Sequence, residues 1–343
     1  MAESRGNSAA SDLGRRELLA CAAAFGSAFL ARQGLVAGEE HSPAARPSET
    51  AAPKRYDMKK SINMWAFPYP DRWSLKQCFE LAKEAGFDAV ELNLGLEGEL
   101  SVESKPAELA EIRKLAERIG IGISGICSFL FWPYPLTHND PKRREKSFEF
   151  AIRMIEAAKL LGTENLLVVP GAVYAAWVDE FSPVPNDVCE QRSREAISRL
   201  IPIAEKAGVL LNLENIFVNG FLFSPQEMVS FVDSFNSPTV NIHFDTGNIM
   251  QYQFPEDWVP LLGKRIKNVH VKEWDKRVHE FNLNTFRLLL DGTTNWPAVL
   301  EALDKIGYRG YLTFEYFHPF AHYPEALIHQ TSDALDRMLG RKV

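Results

Sequence analysis

The sequence contains little cysteine, with only four cysteines among 343 residues. Cys21 lies in an apolar N-terminal stretch, and Cys78, Cys127 and Cys189 are far apart along the rest of the chain. An odd, widely spaced set of this kind excludes a disulfide framework and a cysteine-based metal motif.

The sequence also lacks an excess of positive charge. Its formal net charge is -7, whereas a protein that binds nucleic acid presents a basic face. We therefore expect no nucleic-acid partner. The hydrophobic share of 46% and the charged share of 24% are ordinary globular values, compatible with one large α/β domain or two small ones.

A membrane-spanning run is also missing. The apolar run Leu18–Phe29 has the length of a signal peptide and is too short to cross a bilayer. Arg15 and Arg16 stand directly before it, as in a twin-arginine export signal, and Leu35–Ala37 offers a small-residue cleavage site. The interpretation is a signal peptide over residues 1–37 and a polar linker over residues 38–58. The mature chain is then exported, periplasmic or extracytoplasmic, without a stable membrane span; a plain N-terminal helix is the alternative.

Residues 59–343 repeat one pattern, in which a helix ends in an aliphatic residue and a glycine and a strand follows. Glycine closes a helix in the left-handed conformation and lets the chain turn into the next strand. The pattern predicts eight apolar strands, as expected for parallel strands that are covered on both faces: Ser61–Phe67, Ala89–Leu92, Ile123–Ile126, Asn165–Val169, Val209–Glu214, Asn241–Asp245, Ile266–Lys272 and Tyr311–Glu315.

Eight β-α units without a break in composition predict a (β/α)8 TIM barrel, a parallel eight-stranded barrel with outer helices. A doubly wound open sheet is the alternative. That fold would normally carry a glycine-rich nucleotide loop after its first strand, where this sequence has Pro68–Asp71.

Two long loops, Trp132–Asp140 and Tyr174–Asp187, follow the third and fourth predicted strands and are rich in proline and aromatic residues. In a barrel they lie at the C-terminal rim, where they either cover a small-molecule pocket or pack on the rim. They could equally pack against a partner subunit of a homo-oligomer.

Four predicted strands carry a metal-ligand type of side chain at their C-terminal ends. Because residues two apart on a strand point the same way, one register turns all four into the barrel and turns the apolar residues between them toward the helices. We therefore expect a divalent metal site of hard, mostly oxygen ligands, suited to Mn²⁺ or Mg²⁺. The alternative is a set of isolated, half-buried polar residues. The four are Glu214, Asp245, His270 and Glu315.

Three further side chains near this site, His243, Lys272 and Glu91, are candidate substrate contacts. His243 either supports the metal ligands from the barrel interior, or is a core histidine whose hydrogen bonds are satisfied. Lys272 either neutralises negative charge that develops on a substrate or pairs with a neighbouring carboxylate. Glu91, on the second strand, is a candidate free base.

The runs that carry these residues resemble the xylose-isomerase-like barrels known as sugar phosphate isomerases and epimerases, which include ketose 3-epimerases, hydroxypyruvate isomerase and inosose dehydratase. The resemblance covers about residues 61–339. It implies a Glu, Asp, His, Glu metal set at Glu214, Asp245, His270 and Glu315, with Mn²⁺ as the favoured ion and Mg²⁺ or Co²⁺ as alternatives. The runs are Glu214–Phe217, His243–Asn248, Val269–Lys272 and Thr313–Glu315.

The sequence departs from the ketose 3-epimerases in the residues around the metal. Where the resemblance implies a substrate-binding histidine, arginine and glutamate, this chain has Asn248, Lys276 and Gly220. The metal site therefore carries over, while the sugar-binding residues do not, and Asn248 becomes a candidate substrate contact.

The expected reaction is that of a metal-dependent sugar isomerase or epimerase. A hard cation polarises a carbonyl, and Glu214 and Glu315 each move a proton on one face of an enediolate. Loss of a β-substituent from the same intermediate would make the protein a lyase of keto-sugars or keto-glycosides. An exported carbohydrate-binding barrel that keeps a metal for stability is the non-catalytic alternative. Export favours an unphosphorylated carbohydrate as the small-molecule partner.

Overall fold

The computed structural model describes residues 54–178, 182–217, 219–278 and 285–342. The predicted signal peptide and most of the predicted linker lie outside these residues. Eight of the described strands form one closed parallel barrel. They are β1 Lys59–Asn63, β2 Ala89–Asn93, β3 Gly122–Cys127, β4 Asn165–Val168, β5 Leu210–Glu214, β6 Val240–Asp245, β7 Ile266–Val271 and β8 Tyr311–Phe314.

The barrel strands follow one another in chain order, and β8 returns to pair with β1. Lys59 pairs with Tyr311 in this closing ladder. Closure leaves the sheet without a free edge. The predicted (β/α)8 barrel is confirmed, and the open doubly wound sheet is not what the chain forms.

Eight α-helices in the described part of the chain surround the barrel and follow the strands in turn. They are α1 Leu75–Glu84, α2 Pro106–Ile119, α3 Pro141–Leu161, α4 Asn186–Ala207, α5 Pro225–Asp233, α6 Pro255–Leu262, α7 Trp296–Lys305 and α8 Pro324–Met338. No described helix is both long enough and apolar enough to cross a bilayer.

The predicted helix-to-strand turns are present. Gly120, Gly162 and Gly208 close α2, α3 and α4 with φ of 77°, 81° and 72°. Each glycine directly follows its helix, and the next strand begins within three residues. These three turns lead the chain into β3, β4 and β5.

The expected division of side chains between the lumen and the helix layer is also observed. Leu213, Phe244, Val269 and Phe314 are fully buried in the apolar layer. The Phe244 ring lies 6.1 Å from that of Trp258 on α6, at 20° to it. The neighbouring positions on these strands are thereby turned inward, where the polar residues lie.

β1 is shorter at its C-terminal end than the predicted strand Ser61–Phe67. It ends at Asn63, whose side chain accepts a hydrogen bond from Trp65 N and starts a 3-10 turn over Met64–Ala66. The apolar residues after Asn63 resemble a strand continuation, but this cap ends the strand. A second unpredicted feature is a short antiparallel ribbon between Glu273–Trp274 and Phe286–Arg287.

The two long aromatic loops meet at the C-terminal rim. The rings of Trp132 and Trp177 lie 5.2 Å apart at 65°, and Trp177 is 53% exposed. Residues 179–181 of the second loop lie outside the described residues. The described parts of the two loops therefore contact each other through these two rings.

Candidate metal centre

The four predicted ligands come together at the C-terminal end of the barrel. Glu214 and Asp245 are the last residues of β5 and β6, His270 is the penultimate residue of β7, and Glu315 directly follows β8. In the ladder between β6 and β7, Asp245 pairs with His270. The strand ends are therefore level, and the four side chains leave the barrel at the same height.

The distances within this group are those of ligands arranged around a common point. His270 Nδ1 lies 3.7 Å from Glu214 Oε1, 3.7 Å from Asp245 Oδ2 and 3.4 Å from Glu315 Oε1. One donor atom from each residue lies within 4.8 Å of every other, and all four residues are buried. The structure thus brings together every residue of the predicted metal set.

Asp245 is held by the turn that follows β6. Its Oδ1 accepts hydrogen bonds from Gly247 N and Asn248 N, at 2.8 and 2.9 Å. A Cβ at Gly247 would lie 2.8 Å from Lys272 Cγ and 2.9 Å from the Lys272 carbonyl oxygen. Glycine therefore allows the turn to approach β7 closely, and the turn fixes one carboxylate oxygen while the other faces His270.

His270 is oriented from behind by Glu91. The Nε2 atom of His270 lies 2.6 Å from Glu91 Oε2, and neither residue is exposed. Asn63 Nδ2 donates to the same carboxylate at 2.7 Å, and Asn268 Nδ2 donates to its other oxygen at 3.4 Å. A carboxylate on one ring nitrogen keeps the proton there and leaves the other nitrogen available as a ligand.

Burial alone would raise the pKa of Glu91, but the His270 ring lowers it to about 2. Glu91 is therefore ionised and committed to the imidazole. The expectation that it could act as a free base does not fit this position, because His270 stands between Glu91 and the ligand group.

The ligand group crowds buried carboxylates together. Burial, together with the neighbouring Glu315 and Asp245 carboxylates, raises the pKa of Glu214 to about 7. Burial would also lower the pKa of His270, but Glu91 and Glu315 hold it well above its usual value. Carboxylates crowded in this way without solvent are stabilised by a cation.

The donor set fits a divalent ion. His270 Nδ1 is buried and makes no hydrogen bond with any described residue. It faces three carboxylate oxygens, and one imidazole with three carboxylates is a hard, oxygen-rich set suited to Mn²⁺, Mg²⁺ or Co²⁺ rather than to a closed structural zinc site.

Lys272 and Asn248 border the ligand group. Lys272 Nζ lies 2.8 Å from Asp245 Oδ2, also pairs with Glu315 Oε2, and donates to Asn248 Oδ1 at 3.1 Å. Asn248 Nδ2 in turn donates to Glu214 Oε1 at 3.4 Å. Of the two roles considered for Lys272, the structure contains the salt bridge to neighbouring carboxylates.

His243 is fully buried, and its ring lies 4.1 Å from that of His270 at 71°. Neither ring nitrogen forms a hydrogen bond with a described residue. Burial and the adjacent His270 lower the pKa of His243 to about 3, so the ring is neutral. It packs against the ligand histidine and also lies near Glu91, with which it forms a second group of three ligand-type residues.

Two residues that support the site were not singled out from the sequence. Asn63 holds Glu91, and Asn215 exchanges two hydrogen bonds with the backbone of Asp245, at 2.7 and 2.9 Å. Asn63 shares the inward phase of Ser61 on β1, so the period of the strand could have identified it. Asn215 lies just after the strand end, where no such signal exists.

The family model described as a xylose isomerase-like TIM barrel matches residues 79–338. The chain belongs to this family. Among curated family relatives, a ketose 3-epimerase of Arthrobacter globiformis is 24% identical over 274 residues, covering 79% of this chain and 84% of that protein. An inosose dehydratase of Glaesserella parasuis serovar 5 is 23% identical over 267 residues, covering 72% and 87%.

A solved structure of D-psicose 3-epimerase in the presence of D-fructose matches the barrel with a TM-score of 0.68. The match covers 82% of this chain and 100% of that one at 21% identity, so it supports the family's fold.

Proposed function

We propose that the protein is a divalent-metal-dependent sugar isomerase or epimerase that removes a proton next to a carbonyl through an enediolate. The observation that carries this proposal is the buried convergence of Glu214, Asp245, Glu315 and His270 Nδ1 at the barrel mouth. The names of the relatives, a ketose 3-epimerase and a D-psicose 3-epimerase, support a small carbohydrate as the substrate.

Glu214, Asp245, His270 and Glu315 would hold the ion, with Mn²⁺ as the favoured identity. When bound, a divalent cation would polarise a substrate carbonyl and make the neighbouring C–H more acidic. With the ion bound, Glu91 would keep the remaining His270 proton on Nε2 and leave Nδ1 to the metal. Glu214 and Glu315 are the carboxylates available for proton transfer, because both lie beside the position of the ion and neither is strongly exposed.

A lyase on the same site is the second candidate. It is favoured by the replacement of the expected sugar-binding residues by Asn248, Lys276 and Gly220. A Cβ at Gly220 would lie 2.8 Å from Ile216 Cγ1, so a glutamate there would have to displace Ile216. The name of one relative, an inosose dehydratase, denotes an elimination of water.

The experiment that tests the function is incubation of Mn²⁺-loaded protein with a panel of ketoses and keto-glycosides in D₂O, followed by NMR. Deuterium that enters next to the carbonyl supports enediolate chemistry, and the product then separates isomerase, epimerase and lyase. A metal whose removal lowers the melting temperature, with no exchange on any sugar, favours a non-catalytic carbohydrate-binding barrel instead.

Export remains part of the proposal. Arg15 and Arg16 before the apolar run favour a mature chain that starts near Gly38, outside the cytoplasm, and hence an unphosphorylated sugar. N-terminal sequencing of the protein from fractionated cells tests this. An intact N-terminus in the cytoplasmic fraction would overturn it.

A further inference from the structure

Lys272 contacts the two glutamates of the centre unequally. Its Nζ pairs with Glu315 Oε2 and lies 2.8 Å from Asp245 Oδ2. Within the described part of the chain it forms no ion pair with Glu214, and the Asn248 amide bridges the two side chains. One glutamate is therefore in direct contact with a fixed cation, and the other is not.

The position of Lys272 is set by both its backbone and its surroundings. Its N–H donates to Thr246 Oγ1 at 3.0 Å, and the Thr246 hydroxyl donates to the Lys272 carbonyl at 3.1 Å. The ammonium lies 4.8 Å from the ring centre of Phe286 and 5.2 Å from that of Phe317. Lys272 is only 4% exposed. An ammonium held between aromatic rings and carboxylates cannot turn away to solvent.

The two oxygens of Glu315 are consequently both engaged. Oε1 faces His270 Nδ1 at 3.4 Å, where the ion would bind, and Oε2 is covered by the Lys272 ammonium. Glu214 presents Oε1 to the same point, at 3.7 Å from His270 Nδ1. No ion pair involves its Oε2 among the described residues.

We propose that Lys272 is a positioning residue that makes the two glutamates unequal, committing Glu315 to holding the metal and leaving Glu214 as the single carboxylate that exchanges a proton with the substrate. The part of this inference that concerns proton transfer rests on the proposed function. The effect of Lys272 on metal binding does not depend on turnover.

A single proton-transferring carboxylate limits the reaction. Glu214 takes the proton from a hydroxyl-bearing carbon, and the electron pair of the broken C–H bond forms the C=C bond of the enediolate while the hydroxyl proton passes to the carbonyl oxygen. Glu214 then returns its proton to the former carbonyl carbon, and the oxygen that lost its proton becomes the new carbonyl, which is isomerisation. Alternatively, the enediolate reforms its carbonyl and expels a β-substituent, which leaves with the proton. Both reactions need one base, whereas epimerisation at one carbon needs a group on each face.

The first arm of the test is metal titration of metal-stripped protein by calorimetry. Lys272→Met, and Lys272→Gln as a second variant of similar length, should bind Mn²⁺ about tenfold more tightly than wild type, because the ammonium that competes for Asp245 and Glu315 is gone. Lys276→Met is the matched control, since Lys276 Nζ donates to the Gln253 carbonyl and lies over Phe254. It should bind as wild type does. Unchanged or weaker binding in folded Lys272 variants overturns the inference.

The second arm compares solvent exchange in the two glutamate variants. Glu315→Gln should exchange slowly because it holds the ion less well, and raising the Mn²⁺ concentration should restore the rate. Glu214→Gln should show no exchange at any Mn²⁺ concentration. If both variants stay inactive at saturating metal, the glutamates are equivalent and the inference is wrong. If wild type exchanges no sugar, the proposed function fails, and the titration arm alone decides the role of Lys272.

Discussion

Glu91 Oε2 lies 2.6 Å from His270 Nε2, and the two residues are 179 positions apart in the chain. Both side chains are fully buried at the barrel mouth. A carboxylate behind a ligand histidine fixes the ring orientation and raises the basicity of the ligand nitrogen. Through this contact, Glu91 on β2 becomes part of the metal centre.

The first prediction concerns this pair. Glu91→Gln keeps the shape of the side chain but removes its charge, so the Mn²⁺ affinity should fall by roughly 10–100-fold. Calorimetric titration of the metal-stripped variant measures this loss. Glu97→Gln, an exposed glutamate on the loop after β2, should bind as wild type does. Equal affinity in Glu91→Gln and wild type would mean that Glu91 does not support the ligand.

The second prediction is a pH dependence of metal binding. Because burial raises the pKa of Glu214 to about 7 in the metal-free protein, metal must displace a proton below that pH. The Mn²⁺ affinity should therefore rise as the pH increases through about 7, with proton release that calorimetry in buffers of different ionisation enthalpy detects. Glu214→Gln should lack the part of this dependence that belongs to Glu214, whereas the proton displaced from His270, whose pKa Glu91 and Glu315 hold well above its usual value, should remain.

The same shift has a consequence for the stability of the metal-free protein. The folded state binds the Glu214 proton more tightly than the unfolded state, whose pKa is about 4.5. This contribution to the free energy of unfolding is complete at low pH and is lost as the pH rises from about 4.5 to about 7. In urea titrations of metal-free protein, Glu214→Gln should remove this part of the pH dependence; an unchanged profile would contradict the assignment.

The third prediction concerns His243, which contacts His270 but makes no hydrogen bond with a described residue. His243→Leu should bind Mn²⁺ as wild type does, and its free energy of unfolding should change by less than about 1 kcal/mol, because no buried hydrogen bond is lost. His270→Leu is the matched comparison and should lose metal binding. A large loss of affinity in His243→Leu would place His243 among the ligands.

The sequence predicts the barrel and the ligand set because both depend on local periodicity. On the apolar strands, a period of two predicts that Asp245 and His270 point into the barrel, and a glycine after a helix predicts where the next strand begins. The sequence predicts the end of β1 too late, because the residues after Asn63 are apolar like those of a strand, whereas Asn63 caps a 3-10 turn there.

The support of the ligands depends on contacts between distant parts of the chain, which periodicity does not contain. The pairing of Glu91 with His270, and of Lys272 with Glu315, arises only when the barrel closes. The strands of the short ribbon at Glu273–Trp274 are too short to show a periodicity in the sequence. Sequence patterns therefore identified which residues face the lumen, and the structure identified which of them touch.

The most direct measurement of the central claim is the metal content and Mn²⁺ affinity of purified wild type, Asp245→Ala and His270→Ala. About one divalent ion per chain is expected in wild type after reconstitution. Binding should be lost in both folded variants. Equal binding in all three proteins, or none in wild type, would contradict a metal centre at Glu214, Asp245, His270 and Glu315.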